Sequence, residues 1–459
     1  MATKDYSGSA APPGTPGRSE VNKVVVASLI GTTIEWYDFF LYGTAAALVF
    51  GELFFPKSEP LIGTMLAFAT YAFGFVARPI GAVVFGHFGD RIGRKSMLVL
   101  TLVLMGVATF LIGLLPTFAT LGLWAAAILV LLRLVQGFAL GGEWGGAVLM
   151  AAEYGQAERR GLRASWPQAG VPIGLLLSTA VISGVSAFTD DAQFLAWGWR
   201  IPFLLSIVLI VVGLWVRLSI AESPVFQAAQ ERAAQAAAEA RKASPPILEV
   251  VRRYPRTLLI AMGARIAENV SYYVFTAFVL VYITEHLGMD RQVGLNALLI
   301  AALVHLVVIP TWASLSDRVG RRPVYLLGAV GVGVWAFVFF WLLDGKSAGL
   351  VTLAIAGGLV FHAAMYGPQA AFFSELFGTN VRYTGASVGY QLASVVAGSV
   401  APLIAVALLN AYGTSFSISL YLLVCVLITI VAVVLAKETR RTDLAAVETE
   451  REELAELGP

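Results

Sequence analysis

The residues able to do chemistry in this chain are charged and polar side chains set inside long apolar runs. Each such charge costs at least ~2.5–3.5 kcal/mol at a bilayer centre, so its presence asks for a use. Glu35 and Asp38 are three positions apart and share one helical face, with Tyr42 one turn further on. Arg133 stands near the middle of another apolar run, followed three residues later by Gln136. A protonatable acid beside an arginine makes a switch: losing or gaining the proton occupies or frees the guanidinium, and a substrate carboxylate competes for the same charge. The plain alternative is a permanent buried ion pair joining two helices. Burial and a nearby arginine act on an acid in opposite senses, so either Glu35 or Asp38 could carry the proton.

A second polar stripe comprises Arg265, Glu268, Asn269 and Tyr272, at i, i+3, i+4 and i+7. Arg265 and Glu268 could simply satisfy each other, whereas Asn269, Tyr272 and Tyr273 suit hydrogen bonding to a hydroxylated or carboxylated ligand. His362, Tyr366 and Gln369 form a comparable stripe, and Tyr390 and Gln391 reach similar depth from a later run. Gln168 lies between Pro167 and Pro172, where the helix ladder is weakened and the side chain could face a cavity. His305 stands by itself in its run, a placement expected more of helix–helix contact than of proton carriage.

These residues must be positioned by membrane helices. The chain is 58% hydrophobic and only 13% charged, against about 25% charged in a typical soluble domain. Its apolar residues fall into twelve blocks long enough to cross about 30 Å of hydrocarbon. The expected spans 1 to 12 cover residues 22–51, 61–85, 97–115, 120–146, 164–188, 199–221, 257–284, 292–314, 324–343, 349–375, 383–411 and 414–436. All are read as α-helices, because a lipid-exposed backbone must satisfy its own hydrogen bonds. With both termini on one side, that side receives 24 of the 31 basic residues. Four lie opposite (Lys57, Arg200, Arg291, Lys346) and three within spans (Arg78, Arg133, Arg265). The positive-inside rule therefore places both termini in the cytoplasm. The polar start of the chain offers no cleavable leader, and the single cysteine, Cys425, excludes an internal disulfide.

The chain is also built twice. Gly86 to Lys95 (GHFGDRIGRK) and Ala313 to Arg322 (ASLSDRVGRR) read almost alike, with Asp90 and Asp317 227 positions apart. Glu153, Arg160 and Ala164-Ser165 recur at the same spacings as Glu375, Arg382 and Ala386-Ser387. A duplicated membrane bundle is the plan of a secondary transporter. The expected organisation is an N-terminal tail (1–21), a six-helix half (22–221), a connector (222–256), a second six-helix half (257–436) and a C-terminal tail (437–459). Leu444, Val447, Leu454 and Leu457 are near heptad spacing, but Arg451 interrupts the seam, so the tail reads as a solvated or membrane-skimming helix.

Four stretches carry a family resemblance: Thr33 to Phe39 (TIEWYDF), Phe85 to Lys95 (FGHFGDRIGRK), Arg133 to Gly146 (RLVQGFALGGEWGG) and Gly198 to Phe203 (GWRIPF). With them the chain resembles the metabolite:proton symporter family of the major facilitator superfamily over nearly all of residues 22–436, and is most similar to shikimate-type members. The resemblance implies an all-α integral membrane fold of two pseudo-symmetric halves in the bacterial inner membrane. It also implies proton-coupled uptake of a small organic acid or zwitterion, with spans 1 and 4 lining the cavity. Asp90, among Arg91, Arg94 and Lys95, is then expected to latch onto a neighbouring helix end when the cytoplasmic side is closed, since a helix N-terminus favours a carboxylate. Asp317 and Arg318 are the less certain second copy, because Ala313 and Ser316 replace two of its glycines. Arg78, Glu143, Glu153, Glu375 and Arg382 join this gating set.

No nucleophile–base pair, metal cluster or phosphate loop accompanies these motifs, so neither an enzyme nor an ATP-driven pump is expected, and no cofactor or nucleic acid is implied. The partners expected are the solute, the proton and the lipid bilayer, for a chain that works as a monomer. An osmoprotectant (proline/betaine) symporter with a sensing tail, or a membrane nutrient sensor that no longer transports, is the alternative.

Overall fold

The computed structural model describes residues 18–56, 60–92, 94–141, 159–219, 250, 252–377 and 382–440. Most of the connector and most of both tails lie outside them. Twelve membrane helices follow one another in the order expected. Span 1 runs over Arg18–Ala45 and continues to Phe54. Spans 2, 3 and 4 are Pro60–Ile92, Arg94–Leu114 and Leu123–Leu140. Span 5 is Arg160–Gln168 with Gly170–Ala187, broken at Ala169 just after Pro167. Span 6 is Arg200–Leu204 with Ser206–Ser219. Span 7 covers Pro255–His286, and spans 8, 9 and 10 are Arg291–Val319, Arg321–Asp344 and Ala348–Leu376. Span 11 comprises Arg382–Ala393 and Ala401–Tyr412, and span 12 is Phe416–Leu435.

Ten of these helices are long and apolar enough to cross a membrane on composition alone. Span 1 carries the charge of Glu35 and Asp38, and span 3 has only a short apolar stretch, Val99–Leu114. Lipid-facing positions are large and apolar: Trp215, Leu259, Val307, Trp341 and Val431 are all exposed. Span 7 is the opposite case, with 94% of its apolar window buried in the centre of the bundle.

Two packing devices set the site. Spans 2 and 4 cross with backbone on backbone, since a Cβ on Gly137 would come within 1.8 Å of Gly74 O. Spans 1, 7 and 11 each contain a π-type turn, at Ala46–Phe50, Val274–Phe278 and Ser394–Gly398. Such a turn inserts an extra residue and rotates the following face of the helix, a recurrent feature of functional sites.

Candidate transport site and gates

The midplane is filled by aromatic rings from both halves. Phe39 of span 1 and Tyr71 and Phe75 of span 2 meet Tyr273 of span 7 at centroid distances of 6.1, 6.1 and 5.6 Å. Phe40 meets Tyr272 at 5.7 Å. Three buried arginines are embedded in this layer, with very different company.

Arg133 is 1% exposed and sits over the faces of Phe39, Tyr42 and Tyr71, at 4.7, 4.4 and 4.6 Å from their centroids. Gly74 makes the room: a Cβ there would come within 2.6 Å of Arg133 Nε. One guanidinium nitrogen, Nη1, donates to Gln136 Oε1 at 3.0 Å, and Gln136 Nε2 donates on to Thr109 Oγ1 at 2.7 Å. Nε and Nη2 have no hydrogen-bond partner among the described residues. Asp38, 1% exposed, feels the charge of Arg133 and the hydroxyl of Thr109, yet its Oδ1 is also without a partner. Buried donors and acceptors are normally satisfied, so this pair of orphans is a candidate place for a ligand. Glu35 is buried on the same helix, and Tyr42 Oη shares a 2.6 Å hydrogen bond with Thr70 Oγ1.

Arg78, expected with the gates, stands instead in the aromatic layer. Its guanidinium lies 4.5 Å over Phe39 and 4.2 Å over Phe75, and its Nε and Nη2 are unpartnered among the described residues. The glycine-rich crossing of spans 2 and 4 lets it turn inward, a contact invisible in linear sequence.

Arg265 of span 7 is fully engaged. It donates to Glu268 at 2.9 Å, to Gln369 at 2.7 Å and to Ser394 at 3.2 Å, and it lies on the face of Tyr390. Asn269 Nδ2 donates to the same Ser394 at 3.2 Å. Glu268 accepts from Gln369 Nε2 at 3.2 Å, and its other oxygen is 3.2 Å from His362 Nε2. His305 is not solitary: its Nε2 lies 3.0 Å from His362 Nδ1. Tyr366 packs on His362 at 5.5 Å between centroids, Gln168 reaches Gly367 O at 3.4 Å, and Gln391 is buried with its Oε1 unpartnered.

The face bearing the duplicated basic loops is closed by the second copy of the motif. Asp317 accepts from the backbone N–H of Gly161 at 2.8 Å and of Leu162 at 2.9 Å, the first turn of span 5. Gly161 is required there, because a Cβ would meet Arg321 Nη1 at 2.4 Å. Arg321, fully buried, bonds Asp317 at 2.7 Å and Glu375 at 3.3 Å. Arg160 crosses from the other half to Glu375 at 2.9 Å. Thr439 adds a hydrogen bond to Glu375 at 2.7 Å. Glu438 accepts from the N–H groups of Arg321, Arg322, Thr439 and Arg440 at 2.9–3.0 Å. Burial works against its charge, but those donors outweigh it and hold its carboxyl below the usual glutamate range. Arg318 points to solvent. The side chains of Asp90, Arg91, Arg94 and Arg382 lie outside the described residues, as do Glu143 and Glu153. Sequence reading missed Arg321 and Glu438: Arg321 opens span 9 beyond the turn at Gly320, so helical periodicity does not link it to Asp317.

On the opposite face Arg291 of span 8 pairs with Asp191 at 2.5 Å and donates to Ser186 of span 5 at 2.8 Å. Gln292 reaches Ser183 at 2.5 Å. The seam between spans 5 and 8 is therefore tied at both ends.

Comparison with known proteins agrees with this architecture. The sugar (and other) transporter family model matches residues 23–450. The shikimate transporter of Escherichia coli K12 is 45% identical over 430 residues, covering 93% of this chain and 97% of that protein. The inner membrane metabolite transport protein YhjE of the same strain is 41% identical, over 92% and 96%. Its proline/betaine transporter is 33% identical, over 93% and 85%. Among solved structures, the xylose transporter XylE from E. coli in a partially occluded inward-open conformation superimposes with a TM-score of 0.70 at 18% identity. That match covers 93% of this chain and 100% of XylE, a likeness of fold.

Proposed function

The chain belongs to the sugar (and other) transporter family of the major facilitator superfamily, and on that premise we propose that it imports a small carboxylate-bearing metabolite together with protons. The observation that carries this reading is Arg133, a buried cation with two guanidinium nitrogens unpartnered among the described residues, whose charge acts on Asp38, itself with Oδ1 unpartnered there. The planar fork suits bidentate capture of a carboxylate. When Asp38 is ionised it competes for Arg133; once protonated it releases the guanidinium to the solute. Each proton moving inward contributes ~2.3 kcal/mol per 100 mV of membrane potential. The halves then rock about this site, with the basic face and both termini in the cytoplasm. A shikimate-like cyclic hydroxy acid is the favoured solute, in line with the shikimate transporter among the relatives, its hydroxyls meeting Asn269, Tyr272, Gln168 and Gln391.

A thermal-shift screen of the purified protein against shikimate, dicarboxylates, aromatic acids and betaine selects the ligand. Proton-driven uptake of that ligand into proteoliposomes is then compared for Asp38→Asn and Arg133→Lys. Asp38→Asn should uncouple uptake from the pH gradient, and Arg133→Lys should lower it at least tenfold. Undiminished, gradient-driven uptake in both variants would remove the basis of this reading.

A further inference from the structure

The second half of the bundle holds a chain of titratable groups that the proposed switch at Asp38 and Arg133 does not use. Glu268 Oε2 accepts from Arg265 and Gln369, so the carboxyl is an ionised acceptor and its remaining oxygen, Oε1, needs a donor. That donor is His362 Nε2, at 3.2 Å. A neutral His362 with its proton on Nε2 has a bare Nδ1, which must accept. The group facing it is His305 Nε2 at 3.0 Å, so His305 in turn carries its proton on Nε2. Its Nδ1 is then a bare base, fully buried and without a hydrogen-bond partner among the described residues.

We propose that His305, His362 and Glu268 form a one-proton wire that delivers a proton to Glu268 and thereby releases Arg265. The proton enters at His305 Nδ1. His305 passes its Nε2 proton to His362 Nδ1, and His362 passes its Nε2 proton to Glu268 Oε1. One proton enters, two nitrogen-bound protons each move one place, and both rings end neutral in the opposite tautomer. Glu268 becomes a neutral acid, and the ion pair with Arg265 is dissolved. Arg265 shares the aromatic layer with Arg78, near enough for their charges to interact, so its release adds an unpaired cation to that layer. The inference rests on the transporter reading above but uses different residues.

The surroundings suit transfer without a stable charge on either ring. Span 7 contributes Arg265, Glu268 and Tyr272, whose ring centroid lies 4.9 Å from that of His362. Span 10 contributes His362 and Tyr366, whose ring stacks on His305 at 6.4 Å. Tyr325 of span 9 reaches Gln369 at 3.0 Å, Tyr390 of span 11 lies on Arg265, and Arg78 of span 2 acts on Arg265 through space. Span 5, packed along span 8, brings Gln168, which is held by Gly367 O. Among the described residues Glu268 is thus the one carboxylate hydrogen-bonded to this set.

Nitrogen-15 NMR of the full-length protein with ring-labelled histidine tests the wire without any solute. The chain has four histidines, and His87→Gln and His286→Gln assign the spectrum. At alkaline pH His305 and His362 should both show protonated Nε2 and bare Nδ1. On acidification both should invert together to protonated Nδ1 and bare Nε2. Glu268→Gln should abolish the inversion while Asp38→Asn leaves it in place. An imidazolium on either ring, inversion of one ring alone, or rings that keep their alkaline tautomers into the acidic range would overturn the proposal. Because the readout is blind to uptake, a failed wire and a failed site at Arg133 are separately visible.

Discussion

Arg133 and Arg265 are the same side chain put to opposite uses. Arg265 is saturated by a carboxylate, an amide and a hydroxyl, whereas Arg133 rests on π faces and keeps two nitrogens in reserve. Aromatic faces stabilise a guanidinium without consuming its hydrogen-bonding edge, so the cation stays buried yet available. That these arginines matter is legible in the sequence, because a charge inside an apolar run is rare and costly. The Arg265–Glu268 pair is legible too, at i and i+3, but the rest of its network is not, since the partners Gln369 and Ser394 come from spans more than a hundred residues away. Arg321 shows the converse: it stands in a basic loop that reads as topological charge, and only the fold draws it fully inside. Glu438 yields a prediction at this scale. Its folded pKa lies below its unfolded value, so its contribution is present above the ordinary glutamate range and disappears as pH falls through the lowered value. Thermal unfolding of Glu438→Gln should therefore start below wild type at neutral pH, and the two curves should merge in acid. A gap that persists in acid would show that charge is not the cause.

Most helix boundaries are readable to within a few residues because lipid imposes length and apolarity, but spans 2 and 8 run on past their expected ends to Ile92 and Val319, where the helix leaves the apolar stretch. The internal irregularities divide in two. The break in span 5 has a visible cause in Pro167 and Pro172. The π-type turns of spans 1, 7 and 11 have none in the local sequence, because an inserted residue is set by what each face must pack against. The crossing of spans 2 and 4 is tight enough to test. Gly137→Ala forces a methyl onto Gly74 O and should destabilise the protein by about 1–3 kcal/mol. In detergent this reads as a clear fall in melting temperature. Gly184→Ala, where an added Cβ meets nothing within 4 Å, should melt as wild type does. Equal behaviour of the two variants would mean that the backbone contact at Gly74 is not limiting.

Across the whole molecule, the seam of spans 5 and 8 holds two fastenings of different strength. At the basic face Asp317 takes two backbone donors and Arg160 crosses to a fully buried Glu375 side chain. Hydrogen bonds to charged groups contribute about 1.5–3 kcal/mol each. At the other face the Asp191 side chain is 88% exposed, and exposed pairs contribute about 0.2–1 kcal/mol. Asp317→Asn should loosen the basic face, so a cysteine introduced at fully buried Ala164 or Ala371 should react faster with a water-soluble maleimide. Arg291→Ala should leave that rate unchanged or lower it. No change in Asp317→Asn would show that Asp317 does not hold this face.

The imbalance gives the empty molecule a direction. On the proposed orientation the weaker clasp would yield first, so the binding layer would meet the outside by default and the inside only once occupancy had loosened the stronger one. A carrier that imports as proposed would gain from such a bias, because idle copies would wait where new cargo arrives and few would stand open to leak the cell's own stores.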